Sequence, residues 1–227
     1  MKKITGYFSA LEVALWAFSV LLILISFFAF DRENYLTLLA SVIGVTSLIF
    51  SAKGNPVGQV LMIAFSLLYG IISFNFAYYG EMITYLGMTM PMAVLALISW
   101  LKNPYNGNTS EVKINSIDKE ECAFMWILSV IVTIVFYFIL DYFETANILP
   151  STLSVTTSFI AVYLTFRRSP FFALAYAAND IVLIILWTLA SVSDIRYISV
   201  IVCFIAFLIN DIYGFLNWQK MKKRQAE

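Results

Sequence analysis

The chain has 227 residues, of which 61% are hydrophobic and 12% charged, with 14 basic side chains, 14 acidic ones and no histidine. A soluble domain carries roughly a quarter charged residues, so an ordinary water-soluble enzyme is excluded, and without histidine so are His-dependent triads and His-ligated zinc or haem. The zero net charge gives no bulk attraction for nucleic acid, and Cys122 and Cys203 lie in apolar segments without CxxC spacing, so no disulfide framework, metal site or cofactor is expected.

Taken in chain order, residues 13–30, 34–52, 54–80, 82–101, 122–140 and 145–166 contain no Asp, Glu, Lys or Arg. Each is close to, or longer than, the ~20 residues that cross a ~30 Å hydrocarbon core as a helix. Beyond Arg167-Arg168 follow two more apolar stretches, about 170–193 and 196–219, each interrupted by one aspartate, Asp180 and Asp211. The first span follows Met1-Lys2-Lys3, but no small-x-small cleavage site follows Phe27-Phe28, which predicts an anchor rather than a removed signal. No segment alternates polar and apolar residues as a membrane barrel strand would. The expectation is an all-α integral membrane protein with eight transmembrane helices. Its parts are an N-terminal helix (1–33), a three-helix unit (34–101), a loop (102–121), a linking helix (122–144), a second three-helix unit (145–219) and a basic tail (220–227).

Eight spans with both termini inside place Lys2, Lys3, Lys53, Lys102, Lys113, Lys119, Arg167, Arg168, Lys220, Lys222, Lys223 and Arg224 in the cytoplasm, and only Arg32 and Arg196 outside. That is the bias of the positive-inside rule. The outward connections are acidic, with Asp31, Glu33, Glu81, Asp141, Glu144 and Asp194.

Residues 35–101 and 147–218 read as two copies of one unit. Each has a Ser/Thr-rich span, a basic turn with a proline (Gly54-Asn55-Pro56, Arg168-Ser169-Pro170), a second span, an acidic turn, and a third span ending at a tryptophan beside a lysine (Trp100-Leu101-Lys102, Trp218-Gln219-Lys220). The separations from proline to tryptophan are 44 and 48 residues. Three helices per unit is odd, so the linking helix makes the units parallel, and parallel repeats hold substrate near the midplane between them.

Burying an ionisable group in a bilayer costs a few kcal/mol, so Asp180 and Asp211 need a reason. Ten residues past Pro170, Asp180 lies ~15 Å deep, whereas Asp211, seven residues before Trp218, is placed nearer the cytoplasmic edge. Asn179 and Asn210 precede them; Asn210, Tyr213 and Asn217 share a face of the last helix, and Trp187 lies two turns beyond Asn179. The first unit offers Gln59, Ser66 and Ser73 at heptad spacing with Tyr69 beside them, then Tyr85, Thr89 and Trp100. Neutral hydrogen-bonding groups among aromatic rings suit a polar, ring-bearing ligand, and carboxylates could accept from hydroxyls or face a cationic ring. The plainer readings are interhelical packing for Ser and Thr, belt positions for Trp16, Trp126 and Trp218, a structural network for Asp211, and close helix approaches at Gly44, Gly70 and Gly87.

Gly54-Asn55-Pro56-Val57-Gly58-Gln59, Tyr79-Gly80-Glu81-Met82, Trp100 and Asn210-Asp211-x-Tyr213-Gly214-x-x-x-Trp218 together resemble the bacterial PnuC family of vitamin transporters over about residues 35–220. The resemblance implies a 3+1+3 core like that of SWEET sugar transporters, preceded by one extra helix, in the bacterial inner membrane. It also implies facilitated uptake of a vitamin precursor, with nicotinamide riboside first and thiamine, riboflavin or a deoxynucleoside as alternatives, pulled by intracellular phosphorylation. A homotrimer in the lipid bilayer is implied on the same ground. Gln59, Trp100, Asn179, Asn210 and Trp218 are the positions where the family's contacts would fall. Proton coupling is not favoured by the sequence. An intramembrane aspartyl protease, the rival from another class, would also carry two aspartates on consecutive helices, but both here follow asparagine, and their expected depths differ.

Overall fold

The computed structural model describes residues 6–75 and 78–227; Lys2 and Lys3, counted above among the inside charges, lie outside the described residues. Among the described residues, eight helices are long and apolar enough to cross a membrane: α1 (Ala10–Phe30), α2 (Tyr35–Ala52), α3 (Val57–Asn75), α4 (Tyr79–Lys102), α5 (Lys119–Tyr142), α6 (Ile148–Phe166), α7 (Phe172–Ser191) and α8 (Ile198–Ala226), the last entered through a short turn at Ile195–Tyr197. They fall where the charge-free runs place them.

Local chemistry explains the boundaries. Ser9 and Glu12 form a reciprocal capping box that starts α1, and Asp118 caps α5 by accepting from the Glu121 amide at 2.8 Å. The α2–α3 and α6–α7 turns each close with one residue in the left-handed region, Gly54 (φ 65°) and Arg168 (φ 57°). A spacing of 114 residues separates these two, and the same spacing separates Pro56 from Pro170. Within α4, Tyr85–Thr89 forms a π-helical turn in which the Met90 amide reaches back to the Tyr85 carbonyl. Pro91 follows and has no N–H to continue the ordinary ladder.

The loop at 102–121 is more structured than the sequence reading expected. Pro104–Tyr105 (β1) and Asn108–Val112 (β2) pair as an antiparallel hairpin, turned by Asn106 (φ 48°) and Gly107 (φ 76°). Asn-Gly is the signature of that turn. The expected basic tail is likewise part of α8, which stays helical to Ala226. Gln225 on it accepts from the Ile114 amide at 2.8 Å and donates to the Val112 carbonyl at 3.1 Å. Glu81, expected in an outward connection, instead sits in the first turn of α4, buried, with Ser154 donating to it at 3.4 Å.

In the bundle, α2 packs against α3 and α8, while α4 packs against α3 and α6. About half of α2, α3, α6, α7 and α8 is buried, against 22% of α1 and 17% of α5. The outer pair therefore flanks a six-helix core. A large apolar cluster fills the middle and one end of that core, around Phe65, Tyr69, Trp187, Phe204 and Phe207. A second cluster, built on Trp100, Phe172 and Trp218, fills the end that carries Lys53, Lys102 and Arg167.

Candidate functional site

The two three-helix units, α2–α4 and α6–α8, meet through a reciprocal set of hydrogen bonds at the basic end. Trp218 donates its indole N–H to the Ser51 carbonyl at 2.8 Å, and Asn217 donates to the Ala52 carbonyl at 2.8 Å. In the opposite direction, Trp100 donates to the Thr165 carbonyl at 2.9 Å, and the Ser99 hydroxyl donates to the Phe166 carbonyl at 2.9 Å. Each pair satisfies the last carbonyls of a helix, which have no partner within it. The tryptophan rings touch, with centroids 5.4 Å apart, and Phe172 packs on Trp218 at 4.8 Å. The segment after the hairpin spans both units: the Val112 amide donates to the Gly54 carbonyl at 2.9 Å, and the Asn115 amide donates to the Arg168 carbonyl at 3.0 Å.

At the other end, aromatic rings close the core. Trp187 packs between Tyr78 (5.0 Å) and Tyr197 (5.2 Å) with tilted rings, while Tyr69 lies against Tyr85 (4.4 Å) and Trp187 (6.4 Å).

Between these closures lies a cavity of about 30 Å³ lined by Leu48, Met62, Phe65, Tyr85, Thr89, Ser158, Tyr176, Asn179, Asp180, Phe204, Phe207 and Asp211. That is room for about one water. Thr157 and Ser158 both donate to the Asn179 side-chain oxygen, at 2.8 and 3.0 Å, so its amide nitrogen is the group left to offer a ligand. Asp180 and Asp211 line the cavity together. The Asp180 Oδ2 atom is buried without a hydrogen-bond partner among the described residues. No lysine or arginine lines the cavity. The walls differ in kind, because the first unit gives mostly apolar and aromatic groups and the second gives the amide and both carboxyls. A far larger groove, about 820 Å³ between α5, α6 and α7, is walled mainly by apolar groups on the outer side of the core and lacks such a constellation.

Five of the sequence-predicted site residues therefore meet here: Tyr85, Thr89, Asn179, Asp180 and Asp211. The π turn brings Tyr85 and Thr89 onto the same lining surface. Met62, Phe65, Ser158 and Tyr176 were missed. Tyr176 carried a readable signal, since it lies one helical turn before Asp180.

The other predicted residues are elsewhere. Asn210 donates to Ser19 of α1 at 2.8 Å, and Tyr213 donates to Glu12 of α1 at 2.9 Å, so that face of α8 binds the N-terminal helix. Trp100, Asn217 and Trp218 form the basic-end closure, with Gln59 beside it on Ser51 at 3.4 Å. Tyr69 and Trp187 belong to the ring closure, and Ser66 is buried in α3 without lining the cavity. The expected difference in depth between the aspartates is also wrong. Because α7 begins only at Phe172, Asp180 lies ~12 Å into its helix, and Asp211 lies ~10 Å above Trp218 at 1.5 Å per residue. Depth thus gives no argument against an aspartyl protease.

The comparisons with known proteins supply that argument. The chain matches the model of the nicotinamide mononucleotide transporter family over residues 34–220. It is 27% identical over 218 residues to the nicotinamide riboside transporter PnuC of Neisseria mucosa, covering 94% of this chain and 82% of that protein. Its identity to the transporter of the same name in Haemophilus influenzae is 23% over 199 residues, covering 85% and 82%. The crystal structure of the vitamin B3 transporter PnuC shares the fold, with a TM-score of 0.84 at 23% identity over 97% of this chain and 95% of that one. The chain thus belongs to the nicotinamide mononucleotide transporter family and is a multi-pass membrane transporter, not an enzyme.

Proposed function

We propose that the protein carries nicotinamide riboside into a bacterial cell across the inner membrane, with both termini cytoplasmic. The observation that carries this reading is the cavity itself, where two carboxyls and an asparagine amide sit among aromatic rings with no basic residue on the lining. A pyridinium nucleoside brings one permanent positive charge, a ring to stack and hydroxyls to donate, and each finds a partner there. The phosphate of the corresponding mononucleotide would meet Asp180 and Asp211 without a cation, which argues for the nucleoside over the nucleotide.

A cavity of about 30 Å³ is a closed form, since ligand sites occupy roughly 300–1,000 Å³. Transport then requires the α2–α4 and α6–α8 units to rock apart as parallel repeats, at one end by releasing the Trp100 and Trp218 hydrogen bonds and at the other by parting Tyr78, Trp187 and Tyr197. Intracellular phosphorylation would trap the cargo. A homotrimer in the bilayer completes the reading, with the exposed faces of α1 and α5 available for contact.

Thermal stabilisation of the purified protein by nicotinamide riboside, its mononucleotide, thiamine, riboflavin and deoxynucleosides tests the cargo. A ligand at a hundred times its Kd stabilises by about 2.7 kcal/mol, so nicotinamide riboside should stand apart. Equal shifts across the panel, or a larger one with the mononucleotide, would overturn the reading.

A further inference from the structure

The α5 helix packs on α6, and between it and α7 runs the outward groove of about 820 Å³, walled by Met125 and Trp126 of α5, Ile160 and Leu164 of α6, and Leu174 and Ala175 of α7. Its length is that of one leaflet. Asp118 and Lys119 form the rim at the basic end, and Thr157 lies at the deep end. Thr157 precedes Phe166, the last residue of α6, by nine positions, which is ~14 Å along the helix and close to half of a ~30 Å hydrocarbon core. Around the rim, two cations are left over. Asp118 caps α5, and Glu121 accepts from Arg167 at 2.8 Å, but Lys119 is exposed and has no ion pair among the described residues. The carbonyl of Arg168 accepts from the Asn115 amide, two residues before Ile117 of the groove wall. The Nε and Nη1 atoms of Arg168 have no hydrogen-bond partner among the described residues. At the deep end, the Thr157 hydroxyl has one hydrogen and three acceptors in reach. These are the Asn179 side-chain oxygen at 2.8 Å and the Leu153 and Ser154 carbonyls at 3.0 and 3.1 Å. Thr157 is thus both groove wall and partner of an amide that lines the substrate cavity.

We propose that the groove seats one anionic phospholipid of the leaflet at the basic end, with its phosphate at Lys119 and Arg168 and one acyl chain reaching Thr157, and that the seated chain tightens substrate binding through Asn179. Basic pockets between helices at a membrane surface suit phosphate headgroups, and the walls below the rim give an acyl chain an apolar lining. An aliphatic chain neither donates nor accepts, so it leaves the Thr157 hydroxyl to Asn179, whereas water in an unfilled groove competes for it. With Thr157 and Ser158 both held on its oxygen, Asn179 presents its amide nitrogen to the cavity. By linkage, bound substrate tightens the lipid by the same factor. The lipid seat stands on the groove alone, while its effect on binding rests on the substrate site and cargo proposed above.

The test combines lipid retention, read by native mass spectrometry of the delipidated full chain, with calorimetric titration of nicotinamide riboside. Phosphatidylglycerol should be retained about fivefold more tightly than phosphatidylcholine, the factor that one lysine at an anionic headgroup supplies, and Lys119→Gln should erase that preference. Ala175→Trp, which fills the groove from α7, should remove both lipids. Adding phosphatidylglycerol should tighten the Kd of nicotinamide riboside about fivefold, and Thr157→Val should keep the lipid but lose that effect. Equal retention of the two lipids, or retention that survives Ala175→Trp, would overturn the lipid seat. An oligomer that dissociates in Ala175→Trp with lipid content unchanged would overturn it as well and put a second copy in the groove. A substrate Kd indifferent to phosphatidylglycerol would overturn the link to Asn179. Failure of nicotinamide riboside to bind, with or without lipid, would overturn the cargo reading, and lipid retention would still decide the seat.

Discussion

The indole N–H of Trp218 meets the carbonyl of Ser51 at 2.8 Å, joining the last helix of the second three-helix unit to the first helix of the first. The bond from Trp100 to Thr165 repeats it in the other direction at 2.9 Å, with acceptors 114 residues apart and donors 118 apart. A clasp made twice gives the basic end a defined closed geometry, while packed aromatic rings line the closure at the opposite end. The rocking proposed above therefore has to release indole donors at one end and part packed rings at the other.

Trp218→Phe keeps a ring in the clasp and removes only the donor, while the Ser51 carbonyl keeps the Gly54 amide at 2.9 Å, so what is lost is the clasp bond alone. A buried hydrogen bond is worth about 0.5–1.5 kcal/mol, and each kcal/mol lowers Tm by roughly 2–4 °C in a chain of this size. Trp100→Phe should cost a similar amount. A melting curve for either variant that overlays the wild type would show that the clasp does not hold the closed form.

Much of this architecture was legible in the sequence because charge is costly in a bilayer. The basic residues mark helix ends, as Lys53, Lys102 and Arg167 do at the ends of α2, α4 and α6. The content of the site was less legible. Periodicity put Asn210 and Tyr213 on one face of α8, but periodicity does not say what that face meets, and it is α1 that covers it. The meeting of Asp180 with Asp211 was hidden because the Pro170 turn delays α7 to Phe172, so a depth counted from the proline runs too deep. The π turn, with Pro91 as its local cause, brought Tyr85 and Thr89 to the cavity in a way that a regular helix did not foretell.

The two asparagines next to the aspartates should behave differently. Asn179 accepts from Thr157 and Ser158 and lines the cavity, so Asn179→Ala removes a ligand partner and should weaken substrate binding by tenfold or more, the ~1.5–3 kcal/mol of a hydrogen bond to a charged or fixed group. Asn210 bonds Ser19 and the Ala206 carbonyl, so Asn210→Ala should lower Tm while leaving the substrate Kd within about twofold. Binding titrations and melting curves on the two variants separate these effects. The reverse pattern would refute the placement of the site.

Gly44 lies in α2 beside the cavity wall. A Cβ added there would come within 2.3 Å of the Phe207 ring, which itself lines the cavity. Gly44→Ala should push that ring inward, at a cost of about 1–3 kcal/mol for overpacking, and raise the apparent KM for uptake more than it lowers expression. The double variant with Phe207→Leu should recover affinity, because the smaller side chain yields the space. Uptake by Gly44→Ala at wild-type KM would show that this contact does not shape the site.

The N-terminal helix precedes the segment matched by the family, yet it is tied to both units. Glu12, buried in its first turn, accepts from Tyr213 of α8 at 2.9 Å and from Lys53 of the α2–α3 turn at 3.2 Å. Lys53 also lies 4.9 Å from the centre of the Tyr7 ring. Glu12→Gln keeps an acceptor for Tyr213 but takes the charge away from Lys53, which is only 20% exposed. A charge-assisted bond in that setting is worth about 1.5–3 kcal/mol, and Tm should fall accordingly. If the pair itself is responsible, adding Lys53→Met to Glu12→Gln should cost less than the sum of the single changes, since an unpaired ammonium no longer remains. Amide exchange in α1 should rise in the single variant more than exchange in α3 or α7, because α1 is the least buried helix of the three. Strict additivity, with exchange rising uniformly, would mean that Glu12 contributes only to the start of its own helix and does not brace the two units.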